Sequence, residues 1–321
     1  MNPTRFRLAV CYATIAACVP YLTLKIAWLA GSTVGWNDLE AAKDSTLYVG
    51  NAITMGMDAI AVVVALAFTY PWGRRIPAWI VAAPIWIATG LLAPIVLGVP
   101  FGVLLQFLSG QAQQSGQGGE GLQGWVYAVV YTGFTLQGLG LLTAFVFYAR
   151  DRWGRLFRLR TADLPNGPGL AIQRFLTLGA IAPAAVYASV HLYWAFGGES
   201  ETVTQHTVDA VWGLLSLAGV AGLLALVRRA KRPGPVWIPL TAAWTGAGAT
   251  FAWSFYMGLV TLAKPAAFDT HTSAAEAMTM VCGVFAGLIM AVAGTLFLRE
   301  TMGGRARATG QIASPMASST P

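Results

Sequence analysis

The fold class predicted is an all-α integral membrane protein: eight transmembrane helices arranged as two parallel four-helix repeats, both termini cytoplasmic. Three observations predict it. The chain is 56% hydrophobic and only 10% charged, where soluble domains carry about 25% charged residues. Eight apolar stretches approach the roughly 20 residues that a bilayer crossing needs. None of them alternates as a strand does, so helices rather than a barrel satisfy the backbone in lipid. Finally, Lys and Arg crowd into alternate connections between the stretches.

The first span, 8–30, follows Arg5 and Arg7. No small-residue cleavage site follows it, so it reads as a retained helix and not a removed signal peptide. The second, 47–70, contains NAITMGMDAIAVVV and stops at the basic turn PWGRR. The third, 77–99, opens PAWIVAAPIWIATG, and the fourth, 125–148, ends GLGLLTAFVFYAR before a basic linker at 149–171. Spans 172–196, 206–228, 236–262 and 275–298 follow, and the Ser-, Ala-, Gly- and Pro-rich tail 303–321 is expected to be disordered.

Of the twenty Lys and Arg residues, all but Lys25, Lys43 and Lys264 fall in the N-terminal segment, the even-to-odd connections and the C-terminal segment. The opposite connections carry Asp38, Glu40, Asp44, Glu120, Glu199, Glu201 and Asp269. The positive-inside rule then puts the protein in the cell membrane with both ends cytoplasmic. It also explains the net charge of +7 as topology, which leaves no call for a nucleic-acid partner. Cys11, Cys18 and Cys282 all sit inside spans with no CxxC, so disulfide, zinc and redox readings find no support.

Two frames repeat. Tyr21, Lys25, Trp28 and Gly31 in PYLTLKIAWLAG match Tyr187, His191, Trp194 and Gly197 in YASVHLYWAFG. Residues 77–90 also resemble 235–248, with Trp79 and Trp86 matched by Trp237 and Trp244, and Arg150 aligns with Arg299. The second and sixth spans match only weakly. The chain therefore divides into a first repeat, 1–148, the linker, a second repeat, 172–302, and the tail. Units with an even number of spans insert the same way up, so the repeat is parallel. Lys25 and His191 then share a depth, each about 9 Å along its helix from the outer glycine.

Asp58 lies near the middle of the second span, where a charge costs about 2.5–3.5 kcal/mol on insertion scales. It is an acid for catalysis or transport, the ion-pair partner of Lys25, or an isolated protonated carboxyl. Lys25 either snorkels to the interface or lines a cavity, and His191 is either a hydrogen-bonded core residue or a ligand. Asp209 serves the helix start electrostatically or acts as a second acid. Asn51, Asp209, His206, Glu276 and His271 gather toward the outer ends, which points to one outward or mid-membrane cavity between the repeats. Of the twelve tryptophans and ten tyrosines, Trp36, Trp72, Trp125 and Trp153 fit membrane interfaces. Tyr21, Tyr187, Trp28, Trp194, Trp244 and Trp253 fall within spans, and aromatic faces stabilise cations. No phosphate loop, HExxH, GxSxG, DDxxD or DxDD run is present, and no cofactor or metal is expected.

The stretches PYLTLKIAWLAGSTVG, MGMDAIAVVVALAFTYPWGRRIPAW and WIATGLLAP resemble a family of polytopic membrane proteins from actinobacteria. That family is similar to the membrane-bound drimentine-type indole sesquiterpene cyclases, with a fainter likeness to fungal meroterpenoid cyclases, which are shorter, with seven helices. The resemblance implies a terpene cyclase that protonates a farnesylated substrate and closes rings without releasing diphosphate. It further implies one acid in an early helix and one in a late helix, the positions of Asp58 and Asp209. Lys25, His191, Tyr21, Tyr187, Trp28, Trp194, Asn51, Trp244 and Trp253 are the candidate substrate-binding residues. The expected partners are a hydrophobic prenylated small molecule and membrane lipid; a proton-coupled exporter of such a compound is the alternative.

Overall fold

The computed structural model describes residues 3–110, 121–164, 166–197, 202–229, 234–263 and 272–312. Eight long helices follow one another: α1 Pro3–Leu29, α2 Ser45–Thr69, α3 Ala78–Leu108, α4 Gly124–Arg158, α5 Leu170–Gly197, α6 Val203–Arg228, α7 Trp237–Ala263 and α8 Ala274–Ile312. Seven are long and apolar enough to cross a membrane, so the chain has the make-up of a multi-pass helical membrane protein. α7 is the helix outside that set. Its sequence, WIPLTAAWTGAGATFAWSFYMGLVTLA, spends many positions on Ala, Gly, Thr, Ser and Trp, and it packs on α3, α6 and α8.

Several helices overrun the expected spans. α3 continues to Leu108 although Pro84, Pro94 and Pro100 lie within it. α4 takes up much of the expected linker and runs to Arg158, with a break at Trp153 (φ −126°, ψ 33°). A short 3-10 turn, Thr161–Asp163, follows. α8 reaches Ile312, ten residues into the tail, and 313–321 lie outside the described residues. At the other end of α1 the chain turns in a Schellman motif, in which the Ser32 N–H donates to Ala27 O at 2.9 Å and that of Gly31 to Trp28 O at 3.0 Å. Gly31 sits at φ +89°, the left-handed conformation that glycine adopts without steric cost.

One set of helix ends is tied by polar contacts. Arg7 Nη1 lies 2.6 Å from Asp151 Oδ2, and the Arg152 guanidinium donates to the carbonyls of Arg74 at 3.3 Å and Ile76 at 2.8 Å. Glu300 accepts from Gly169 N at 3.3 Å and Gln173 Nε2 at 2.5 Å. Thr161 N donates to Gly234 O and Val236 N to Leu159 O, joining two connections at that end.

Between these ends, lipid tails are as apolar as leucine, so close packing and hydrogen bonds, more than apolar burial, decide which helices touch. α5, α6, α7 and α8 close into a ring in which each helix packs on the next. Glycine makes the α6–α7 seam: a Cβ on Gly219 would come within 3.1 Å of the Gly246 backbone. α1 packs on α2 and α4, and α4 on α3, but α2 and α3 touch only sparsely. α3 leans instead on α6 and α7. Its Gly98 and Gly102 face Val208 and Thr204, where added Cβ atoms would lie within 2.9 and 2.8 Å. α3 crosses α7 where Gly90 meets Gly248, backbone against backbone, and the Trp86 indole N–H donates to Trp244 O at 3.1 Å.

Candidate functional site

The gap between α2 and α3 holds a cavity of about 150 Å³. α2 contributes Thr54, Met57, Asp58 and Ala61, which recur at helical spacing and so share one face. Leu91, Leu92 and Ile95 form the opposite wall, with Phe134 and Gln137 of α4 at the back. Tyr21 of α1, Trp253 and Tyr256 add aromatic surface. Met57, 37% exposed, brings the cavity to the surface of the helix bundle. Trp253 is held in place by its indole N–H, which donates to Leu91 O of α3 at 3.1 Å.

Asp58 is the one acidic group in this wall and is 5% exposed. Gln137 Nε2 donates to its Oδ1 at 3.1 Å, while Oδ2 is buried with no hydrogen-bond partner. The expected alternative of a Lys25–Asp58 ion pair does not occur. Lys25 Nζ donates to Asn51 Oδ1 at 2.6 Å and lies over the rings of Tyr21 (4.7 Å) and Trp28 (5.4 Å). Nor does Lys25 snorkel to an interface, being 6% exposed. A hydrogen bond from a charged group contributes about 1.5–3 kcal/mol, and a desolvated cation–π contact about 2. Together these are comparable to the insertion cost of a lysine, about 2.5–3.5 kcal/mol, and both come from neutral groups.

The second frame builds a separate cluster. His191 Nδ1 lies 2.9 Å from Asp209 Oδ1, and Gln205 Nε2 donates to Asp209 Oδ2 at 3.1 Å. Tyr187, Trp194 and Trp212 surround the imidazole at ring distances of 4.4, 5.1 and 5.1 Å. His206 Nδ1 is 3.0 Å from Trp194 O. His191 and Asp209 are 8% and 3% exposed, and neither lines the cavity. Both members of this buried pair are thus engaged by hydrogen bonds.

Of the candidates named from sequence, Tyr21, Asp58 and Trp253 line the cavity, and Lys25, Trp28 and Asn51 adjoin it through Tyr21. His191, Tyr187, Trp194 and Asp209 stand apart from it. Trp244 stacks on Phe145 at 5.7 Å, outside the cavity. This cavity thus lies beside the first frame, and no residue of the second frame lines it. Trp36, expected at an interface, is 7% exposed against Trp28. Glu276 caps α8 by accepting from Ser273 N, and His271 lies outside the described residues. Sequence reasoning missed Gln137, Phe134 and Tyr256. Gln137 was the discoverable one, an amide in the midst of an apolar span.

Comparison with protein-family models, curated proteins and solved structures finds no match.

Proposed function

We propose that the chain is a membrane-bound cyclase that protonates an alkene or epoxide of a prenylated, lipid-like small molecule and closes rings without losing diphosphate. The observation that carries this reading is Asp58: a buried carboxyl with one oxygen held by Gln137 and the other unpartnered in a cavity walled by aromatic and aliphatic side chains. The reaction needs Asp58 as its neutral acid, and Lys25 forms no ion pair with it among the described residues but donates to Asn51. The proton of Asp58 forms a C–H bond with the alkene π electrons, leaving a tertiary cation. A second alkene of the chain attacks it to close a ring, and the cyclised cation gives up a proton to the Asp58 carboxylate, which exchanges with solvent between turnovers. The faces of Tyr21, Phe134, Trp253 and Tyr256 are placed to stabilise the cation, at about 0.5–2 kcal/mol each. Both oxygens of Asp209 already have partners, which favours Asp58 as the acid.

The proposal includes eight spans with cytoplasmic termini and an internal duplication. Supporting the duplication, Trp86 and Trp244 are 158 positions apart and in contact, and so are Gly90 and Gly248. The same separation pairs Asn51 with Asp209 and Asp58 with Ser216. Asn51 and Asp209 both receive the ionisable residue of the preceding helix.

The test is turnover in deuterated water, with membranes holding the protein and prenylated substrates that include a farnesylated indole. Wild type should give ring products carrying one solvent deuteron. Asp58→Asn, which keeps shape and hydrogen bonding, should insert normally and give none. Undiminished cyclisation by Asp58→Asn would shift the acid to Asp209. Inert wild-type membranes, together with cells lacking the protein that accumulate a hydrophobic compound, would replace the enzyme with the exporter.

A further inference from the structure

Four Lys, His, Asp or Glu side chains are buried among the described residues of the helices: Lys25, Asp58, His191 and Asp209. His191 Nδ1 and Asp209 Oδ1 are hydrogen-bonded at 2.9 Å. Lys25 and Asp58 make no ion pair among the described residues. If Asp58 works in its neutral form, as the proposed reaction requires, Lys25 is left as a buried ammonium with no counter-ion. An ammonium has three donors, and one is directed to Asn51.

The position of Lys25 gives this imbalance a use. Tyr21 has Lys25 Nζ over its ring at 4.7 Å and also lines the cavity. Thr54, another lining residue, sits one turn along α2 from Asn51. The ammonium therefore lies behind the wall that Tyr21 and Thr54 give the cavity. Asn51, which marks its level, is two helical turns from Asp58, about 10 Å along the axis.

We propose that Lys25 binds an anionic head group of the substrate, a carboxylate, while the prenyl chain runs along α2 to Asp58. The inference rests on the cyclase reading and narrows its substrates to prenyl acids. The spacing excludes a single isoprene unit and suits a farnesyl-type chain, with the reacting double bond two turns from the head. The carboxylate supplies the counter-ion that Lys25 lacks, and Tyr21 separates the head from the acid.

The experiment compares farnesoic acid with its methyl ester as ligands of the full-length protein in nanodiscs, read by quenching of intrinsic tryptophan fluorescence. Wild type should bind the acid about tenfold or more tightly than the ester, the range for a charge-assisted hydrogen bond. Lys25→Met should lower the acid to the level of the ester and leave the ester unchanged, and Lys25→Arg should keep the preference. Should Lys25→Met fail to insert, Lys25→Gln takes its place. Asp58→Asn should retain the preference while losing turnover, which separates this proposal from the reaction itself. Equal binding of acid and ester, no binding of either, or a preference that survives removal of the Lys25 charge would overturn it.

Discussion

The first four helices and the last four answer the same problem, polar side chains in an apolar medium, in opposite ways. In α5–α8 the ring of helices is closed, the α6–α7 seam is sealed by glycine, and His191 and Asp209 face each other. In α1–α4 the α2–α3 contact is loosened, the gap is a cavity, and Asp58 retains an oxygen without a partner. In the proposed function the sealed pair holds the fold together and the unsealed carboxyl is the acid. The difference traces to side-chain size. At the proposed 158-residue separation Gly98, which lets α3 approach α6, corresponds to Tyr256, which occupies the cavity wall instead.

The largest effect should come from breaking the sealed pair. His191→Ala removes one partner of the buried Asp209, and removing one partner of a buried pair costs about 3–5 kcal/mol. Detergent unfolding curves should show that loss, whereas Asp58→Asn, retaining an acceptor for Gln137, should shift them by less than about 1 kcal/mol. Equal losses would erase the distinction between a structural pair and a functional acid.

A second comparison uses two positions 158 residues apart. Gly246→Leu forces a side chain into the Gly219 backbone, and such overpacking costs about 1–3 kcal/mol. Ala88→Leu extends into the cavity and should leave the unfolding midpoint nearly unchanged while weakening ligand binding. If Ala88→Leu destabilises as much as Gly246→Leu, the gap between α2 and α3 is not open in the membrane.

Smallest is Trp253→Phe, which keeps an aromatic face but removes the hydrogen bond to Leu91 O. A loss of about 1 kcal/mol is expected, together with a broader product distribution as the cavity wall loosens. An unchanged product pattern would limit Trp253 to packing.

Helix number and order were legible in the sequence because long apolar runs between charged connections leave few alternatives. The Tyr21–Lys25–Trp28 grouping was legible too, since residues four and three apart on a helix must be neighbours. The cavity was not. Its walls come from five helices, and Phe134 and Tyr256 look like any other apolar span residue until tertiary packing brings them together. The likeness of α2 to α6 was hidden for a related reason. In the proposed alignment, Thr54 with Trp212 and Asp58 with Ser216 pair side chains of unlike size and polarity. Helix ends were misjudged because α4 carries its helical pattern past the apolar run, through Asp151 and Arg152, whose contacts with Arg7 and the Arg74–Ile76 carbonyls hold that extension.

The Gly90–Gly248 crossing bears on ancestry. In the proposed duplication these two glycines descend from one codon, and a residue can touch its own copy only on a two-fold axis. The ancestor would then have been a four-helix chain that paired with itself through this glycine, two subunits side by side with identical sites. On this reading fusion would have let the copies diverge, one now carrying Asp58 beside an opening and the other Ser216 with Trp212 one turn away. A present-day half-length relative, were one to exist, would be a homodimer with two working cavities.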